Sequence, residues 1–110
     1  MNKNILLISQ DQFGQGSDEL GKILLKSYLA TLLENNDYSH LILVNSGVKI
    51  ACVGSDVIDD LKEITNKTEI LICQTCLNYY ELVDQVAVGN KSNMHVISQL
   101  LNEANKVVNI

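Results

Sequence analysis

The sequence contains no arginine. All eight basic residues are lysines, they face thirteen acidic residues, and the formal net charge is -5. Proteins recognise phosphate groups best with the planar guanidinium of arginine, and nucleic-acid-binding surfaces are usually rich in basic residues. The composition therefore predicts that this protein does not bind nucleic acid.

Long apolar runs are also missing. No stretch approaches the roughly 20 apolar residues that a membrane span needs, and the apolar run near the N-terminus is too short for a signal peptide. Proline is absent, which removes one source of loop rigidity. These absences predict a cytoplasmic protein without a membrane partner. In the cytoplasm its three cysteines are expected to stay reduced thiols.

The length and composition are those of one globular domain, which we predict to span residues 1–110. The chain has 110 residues, 46% of them apolar, and no break in composition. A chain of this size buries roughly 65% of its unfolded surface, which is enough for a core without a metal ion or a disulfide.

Short apolar runs alternate with helical patterns along the chain. Runs without polar alternation, such as Ile5-Leu6-Leu7-Ile8, are typical of strands buried on both faces. The predicted strands are 4–9, 41–44, 69–72, 86–88 and 106–110, with an extended segment at 48–52; the predicted helices are 18–34, 56–65 (capped by Ser55), 78–84 and a last one beginning after Ser92 or Asn93. This order predicts an α/β fold with a mostly parallel five-stranded sheet and helices on both faces.

Polar residues and glycines follow four of the predicted strands. They are Gln10 and Asp11, then Asn45, Ser46 and Gly47, then Cys73 with Thr75, and finally Gly89 and Asn90. The carboxyl ends of parallel strands meet at one edge of the sheet, where such folds bind their ligands. We therefore expect these residues to line one pocket around the cysteines.

The predicted helix at 18–34 carries more apolar side chains than one buried face requires. They are Leu20, Ile23, Leu24, Leu25, Tyr28, Leu29, Ala30, Leu32 and Leu33. A subunit interface would cover the excess, so the pattern favours a homo-oligomer. The alternative is a helix seated deeply between other helices of the same domain.

The glycines before this helix have the strand-loop-helix setting of a nucleotide-binding loop, but not its spacing. The dinucleotide motif needs a glycine three positions after Gly16, where Glu19 stands. Asp18 and Glu19 at the helix start would repel a phosphate. The glycines thus favour a tight turn and close packing, and no cofactor is expected.

Cys73 and Cys76 form a Cys-x-x-Cys pair with four interpretations. As a metal site the pair supplies only two ligands, and Cys52 is a conceivable third. His40 and His95 do not have the spacing of metal ligands, so no metal is expected. As a thioredoxin-type redox pair it lacks the usual aromatic and proline neighbours. As a nucleophile or sulfur carrier it would gain from a helix start, which lowers the pKa of a thiol. The fourth interpretation is two small buried hydrophobic residues, which is also the favoured role of Cys52.

Several segments spread over the chain carry a family resemblance. They are Gly16-Ser17-Asp18-Glu19-Leu20-Gly21-Lys22-Ile23-Leu24, Asn45-Ser46-Gly47-Val48-Lys49 with Gly54-Ser55, Cys73-Gln74-Thr75-Cys76-Leu77-Asn78-Tyr79-Tyr80, and Val88-Gly89-Asn90 with Asn93-Met94. In this order they resemble the DsrE-like superfamily, and more closely the C-terminal domain of YedF-type, selenium-metabolism-associated, sulfurtransferase-like proteins.

The resemblance implies a flavodoxin-like, three-layer α/β/α fold, a homo-oligomer and sulfur-relay chemistry. It gives Cys73 the role of the active cysteine, which in related sulfur-relay subunits ends the matching strand, and it matches Cys76 with the second cysteine of the YedF-type motif. Gln74 departs from the glycine usual at that position. The TusA-like domain that usually precedes this domain is missing, so the chain is either an excised domain or a free-standing relative.

Two functional hypotheses follow. In the first, the protein is a sulfur or selenium carrier that takes sulfane sulfur onto Cys73 from a donor protein, such as a TusA-like protein, and passes it to an acceptor, with Cys76 assisting. In the second, the same crevice belongs to a non-catalytic oligomeric module that binds a small ligand or a protein. A lowered thiol pKa would support the first hypothesis.

Overall fold

Five parallel strands form one sheet in the computed structural model, which describes residues 3–110. The elements are β1 (Asn4–Ile8), α1 (Asp18–Glu34), β2 (His40–Leu43), a 3-10 helix (Asn45–Ala51), α2 (Ile58–Ile64), β3 (Glu69–Cys73), α3 (Gln74–Tyr79), a short 3-10 helix (Val83–Gln85), β4 (Asn90–Ser92), α4 (Met94–Glu103) and β5 (Lys106–Asn109). The strand order is β4-β3-β2-β1-β5, and every pairing is parallel. The predicted α/β class and parallel sheet are confirmed.

The three central strands form the middle of the core. Leu6 of β1 pairs with Leu41 of β2, which pairs in turn with Ile70 of β3, and all three side chains are at most 1% exposed. Helices α1 and α2 pack against each other. Crossovers between parallel strands are right-handed, and the chain reverses its direction across the sheet after β4 to reach β5. Helix α4 in this last crossover therefore covers the face opposite to α1 and α2. Both faces of the sheet are therefore buried, which explains why its central strands lack polar alternation.

Helix α1 has the predicted bounds, because local signals define both of its ends. The Ser17 hydroxyl accepts a hydrogen bond from the Leu20 N–H (3.3 Å), and the chain turns extended at Asn35. Its outer side remains open: Leu20 is 54% exposed, Ile23 56% and Leu24 43%. The alternative of a deeply seated helix is therefore wrong. Neither α1 nor any other helix within residues 3–110 has the length and apolar character to cross a membrane.

Two of the extended segments were wrongly predicted. The segment 48–52 belongs mostly to the 3-10 helix Asn45–Ala51, and Cys52 makes only an isolated antiparallel bridge to Val86. Residues 86–88 are not a strand, and β4 lies further along the chain. Gly89 sits against β3, where a side chain would press on Ile70 and Ile72, so this close approach rather than an apolar run determines where β4 begins.

Two helices also differ from their predicted bounds. Helix α3 begins directly after Cys73, because the Cys73 sulfur accepts a hydrogen bond from the Cys76 N–H (3.4 Å) and caps the helix four residues earlier than expected. Helix α2 is shorter than the predicted 56–65. The Ser55 hydroxyl accepts from the Val57 N–H (3.3 Å) in a turn that precedes the helix, rather than capping it.

Gly47 sets how closely the 3-10 helix approaches β1, since a Cβ at this position would collide with the carbonyl oxygen of Ile8. We expect Gly47→Ala to lower the free energy of unfolding by about 3 kcal/mol, because the backbone of β1 must shift to admit the methyl group. Urea unfolding measures the loss.

Gly14→Ala is the matched control. Its Cβ would meet no heavy atom within 4 Å, and only the φ angle of +77° opposes it, at a cost of roughly 1–2 kcal/mol. Equal losses for the two variants would contradict the close approach at Gly47.

Candidate functional site

The junction between β3 and α3 places two thiols side by side with unequal access to solvent. Cys73 ends β3 and is only 1% exposed, whereas Cys76, in the first turn of α3, is partly exposed. The capping hydrogen bond from the Cys76 N–H to the Cys73 sulfur joins them. Cys76 is thus the more accessible thiol.

The sulfur of Cys76 also contacts the end of β2. The Asn45 N–H donates a hydrogen bond to the Cys76 sulfur over 3.0 Å. Asn45 adopts a left-handed backbone conformation (φ +52°), which asparagine tolerates better than most residues. Backbone strain of this kind tends to concentrate at functional sites. The geometry aims a backbone donor at the accessible thiol.

The side chain of Tyr80 holds the side chain of Asn45. Its hydroxyl donates to the Asn45 side-chain oxygen over 2.9 Å, and the ammonium of Lys49 lies 4.5 Å from the centre of its ring. We call Cys73, Cys76, Asn45 and Tyr80 the thiol cluster. Neither Tyr80 nor Lys49 was predicted as a site residue from the sequence. Tyr80 lies four residues after Cys76, the spacing at which two side chains share a helix face, so an earlier start for the helix would have revealed it.

The direction of the pKa shift of the Cys76 thiol differs from the prediction. Burial raises the pKa of the Cys76 thiol, the neighbouring Cys73 raises it further, and the Asn45 N–H opposes the rise by favouring the thiolate. The predicted lowering of the thiol pKa is therefore wrong for Cys76, and this support for a sulfur carrier is absent at this thiol. Its partial burial and its thiol neighbour outweigh the backbone donors at the start of this six-residue helix.

The predicted pocket residues of β1 and β2 do meet beside the thiol cluster. The Asp11 N–H donates to the Ser46 hydroxyl over 3.3 Å, which ties the loop after β1 to the 3-10 helix. Gly47 packs on the end of β1, near the backbone N–H of Gln10. Thr75 is exposed in the first turn of α3. The structure thus gathers the ends of β1, β2 and β3 at one edge, as the parallel sheet predicted.

Gly89 and Asn90 do not belong to this edge, so their predicted place in the pocket is wrong. Asn90 pairs with Leu71 in the middle of β3, and Gly89 lies against Ile70. Because β4 starts at Asn90 instead of ending before it, both residues enter the sheet from its amino-terminal side. There they border a separate cavity with residues 65–70.

The third cysteine lies outside the cluster. Cys52 is 3% exposed, its thiol donates to the Val48 carbonyl (3.4 Å), and burial raises its pKa. The prediction that Cys52 packs in the core is confirmed. In the part of the chain that the structure describes, no three His, Cys, Asp or Glu side chains come together in a way that could hold a metal ion.

The Tyr80 hydroxyl fixes Asn45, and Asn45 in turn donates to the Cys76 sulfur. We expect Tyr80→Phe to weaken this donation, to raise the pKa of Cys76 further and to slow alkylation of Cys76 at pH 8 roughly threefold to tenfold, the effect of weakening one hydrogen bond worth about 1 kcal/mol. Alkylation by iodoacetamide across a pH series measures the change.

Tyr79→Phe is the control, because Tyr79 is 81% exposed and directly precedes Tyr80. It should leave the pH profile unchanged. A profile that Tyr80→Phe leaves unmoved would show that Tyr80 does not position the donor.

The sequence matches no protein-family model and no curated protein, but the fold has solved relatives. YchN from E. coli superposes with a TM-score of 0.73 at 18% identity, over 100% of both chains. MTH1491 from Methanobacterium thermoautotrophicum, a protein of unknown function, gives 0.70 at 15% identity, also over 100% of both chains. BT1422 from Bacteroides thetaiotaomicron, likewise of unknown function, gives 0.67 at 15% identity over 98% of this chain and 95% of its own. The fold of the chain is DsrE-like.

Proposed function

We propose that the protein carries sulfane sulfur, or selenium in its place, as a persulfide on the thiol cluster, in the manner of the YedF-type proteins that its sequence resembles. One observation carries this proposal: two neighbouring thiols, one accessible and one buried, stand at the ligand edge of the sheet with a backbone N–H aimed at the accessible sulfur. Reduced thiols of this kind suit a cytoplasmic protein.

The unequal exposure of the thiols suggests their roles. The family resemblance gives the carrier role to Cys73, but Cys73 is 1% exposed and Cys76 is partly exposed. We therefore assign the incoming sulfur to Cys76. Its thiolate attacks the outer sulfur of the donor persulfide, a new S–S bond forms on Cys76, the S–S bond of the donor breaks, and the donor leaves as a thiolate.

Delivery reverses this step. A thiolate of the acceptor attacks the outer sulfur on Cys76, and Cys76 is released as a thiolate. When no acceptor arrives, Cys73 attacks the inner sulfur of Cys76 and forms a Cys73–Cys76 disulfide, expelling hydrosulfide. Asn45 and Ser46 line the approach. A TusA-like protein is the partner that the resemblance proposes as donor or acceptor.

Intact-mass spectrometry after incubation with a persulfide donor tests the proposal. We expect the wild type and Cys52→Ser to gain one sulfur atom that a thiol reductant removes, and Cys76→Ser to gain none. Cys73→Ser should gain the sulfur and keep it several-fold longer, because the thiol that expels it is gone.

Cys52→Ser serves as the matched control, since Cys52 is a buried thiol outside the cluster. Absence of added sulfur from both the wild type and Cys73→Ser would refute the sulfur carrier, and an equal adduct on Cys76→Ser would refute the role of Cys76. A carrier that depends on Cys73 alone would appear as an adduct lost only in Cys73→Ser.

The second candidate function is a non-catalytic oligomeric binding module, and the outer face of α1 favours its oligomeric part. Leu20, Ile23 and Leu24 are spaced by three and four residues, so they share one helix face, and each is more than 40% exposed. We propose that a second copy of the chain covers this face. Such a module would keep its binding after both cluster cysteines are replaced by serine.

Charge placed on the α1 face should prevent self-association. We expect the wild type to be oligomeric at micromolar concentration and Ile23→Glu to weaken association at least tenfold, because a buried unpaired carboxylate is costly. Light scattering measures the mass. Met94→Glu, which places the same charge at a 53% exposed position on α4, should remain oligomeric. A monomeric wild type would exclude the interface.

A further inference from the structure

A groove of about 410 Å³ lies between α1, the 3-10 helix Asn45–Ala51 and the turn at 53–57. Its floor is apolar, since Leu25, Ile50 and Val57 are each at most 5% exposed, and the exposed side chain of Val53 extends this apolar surface to the rim. Small-molecule sites have volumes of roughly 300–1,000 Å³ and mostly apolar walls with a few polar groups. The groove therefore has the size and lining for a small amphipathic molecule.

Lysine side chains are concentrated at this groove. Three of the eight lysines line it together with two carboxylates, Asp11 and Asp56, so its lining is net positive although the whole chain has a net charge of -5. Lys22 lies 3.6 Å from the Asp11 carboxylate and Lys26 lies 3.9 Å from that of Asp60. Within residues 3–110, Lys49 has no carboxylate within 4.0 Å. A cation without a carboxylate partner beside an apolar floor favours a ligand with an acidic group.

Lys49 also connects the groove to the thiol cluster. Its ammonium lies over the ring of Tyr80, the Tyr80 hydroxyl binds Asn45, and the Asn45 N–H donates to the Cys76 sulfur. On the other side, Asp11 lines the groove and its N–H donates to Ser46. Lys49 is therefore the residue that the groove shares with the contacts around the accessible thiol.

We propose that the groove binds a low-molecular-weight thiol that bears a carboxylate, and that the persulfide of such a thiol is a second class of sulfur donor besides a partner protein. The carboxylate pairs with Lys49 and the apolar part of the molecule lies on Ile50 and Val57. The transfer step rests on the proposed function: the Cys76 thiolate takes the outer sulfur, the S–S bond of the small persulfide breaks, and the small molecule leaves as a thiolate.

Binding is tested with S-methylglutathione, a carboxylate-bearing thioether that cannot transfer sulfur. When it is titrated into the isotope-labelled protein, it should shift the amide resonances of residues 53–57, and these shifts should saturate as its concentration rises. Lys49→Met, which keeps the aliphatic stem but removes the charge, should weaken this binding roughly fivefold. Lys62→Met is the control, since Lys62 is an exposed lysine on α2 outside the groove, and it should bind like the wild type.

Transfer is tested with two donors that share a reacting sulfur but differ in charge. Glutathione persulfide has carboxylates, whereas the persulfide of mercaptoethanol has none. We expect Lys49→Met to raise the concentration of glutathione persulfide needed for half-maximal rate roughly fivefold more than it raises that of the neutral donor. Equal slowing with both donors would overturn the proposal, since Lys49 would then act on the thiol through Tyr80.

The binding and transfer experiments distinguish a failure of the proposed groove from a failure of the proposed sulfur carrier. Binding of S-methylglutathione without transfer from either persulfide would support the groove and refute the sulfur carrier. Equal transfer from both donors without binding would refute the groove and leave the carrier intact. Resonance shifts at the groove that grow with protein concentration alone would show that a second copy occupies it, which would overturn the small-molecule proposal.

Discussion

The hydrogen bond from the Asn45 N–H to the Cys76 sulfur is the interaction on which the candidate site depends. It joins the 3-10 helix that follows β2 to the first turn of α3, and it requires that Asn45, the first residue of that 3-10 helix, adopt a left-handed conformation. Gly47 then lets the chain pass over the end of β1 without a side chain in the way. Three neighbouring strand ends are thereby held in one arrangement, and the accessible sulfur lies where they meet.

Much of the fold could be predicted because its signals are local. Ser17, the acidic first turn and the apolar period define α1, and the unbroken apolar runs define the three central strands. Strand β4 has no such signal: Asn90, Lys91 and Ser92 are polar, and their pairing depends on the approach of Gly89 to Ile70. A contact between distant parts of the chain decided that strand, so the sequence pattern pointed to the wrong residues.

The candidate site, like the fold, could be predicted only in part. That Asn45, Ser46 and Cys73 share an edge follows from the parallel sheet alone, and this was predicted. Which thiol reaches solvent depends on the helix starting directly after Cys73, a result of the sulfur cap. That cap places Cys76 in the first turn of the helix and Tyr80 directly after its last residue, which is why neither the pKa of Cys76 nor the role of Tyr80 was predicted.

The two edge strands of the sheet make strand pairing between molecules unfavourable. β4 has three residues and β5 has four, and each edge strand carries an exposed lysine, Lys91 and Lys106. Short, charged edges resist the addition of a strand from another molecule, because pairing would bury the lysine and gain few backbone hydrogen bonds. Open-ended, amyloid-like growth is thus disfavoured at both sides of the sheet, and crowding of many copies does not by itself lead to aggregation through strand pairing.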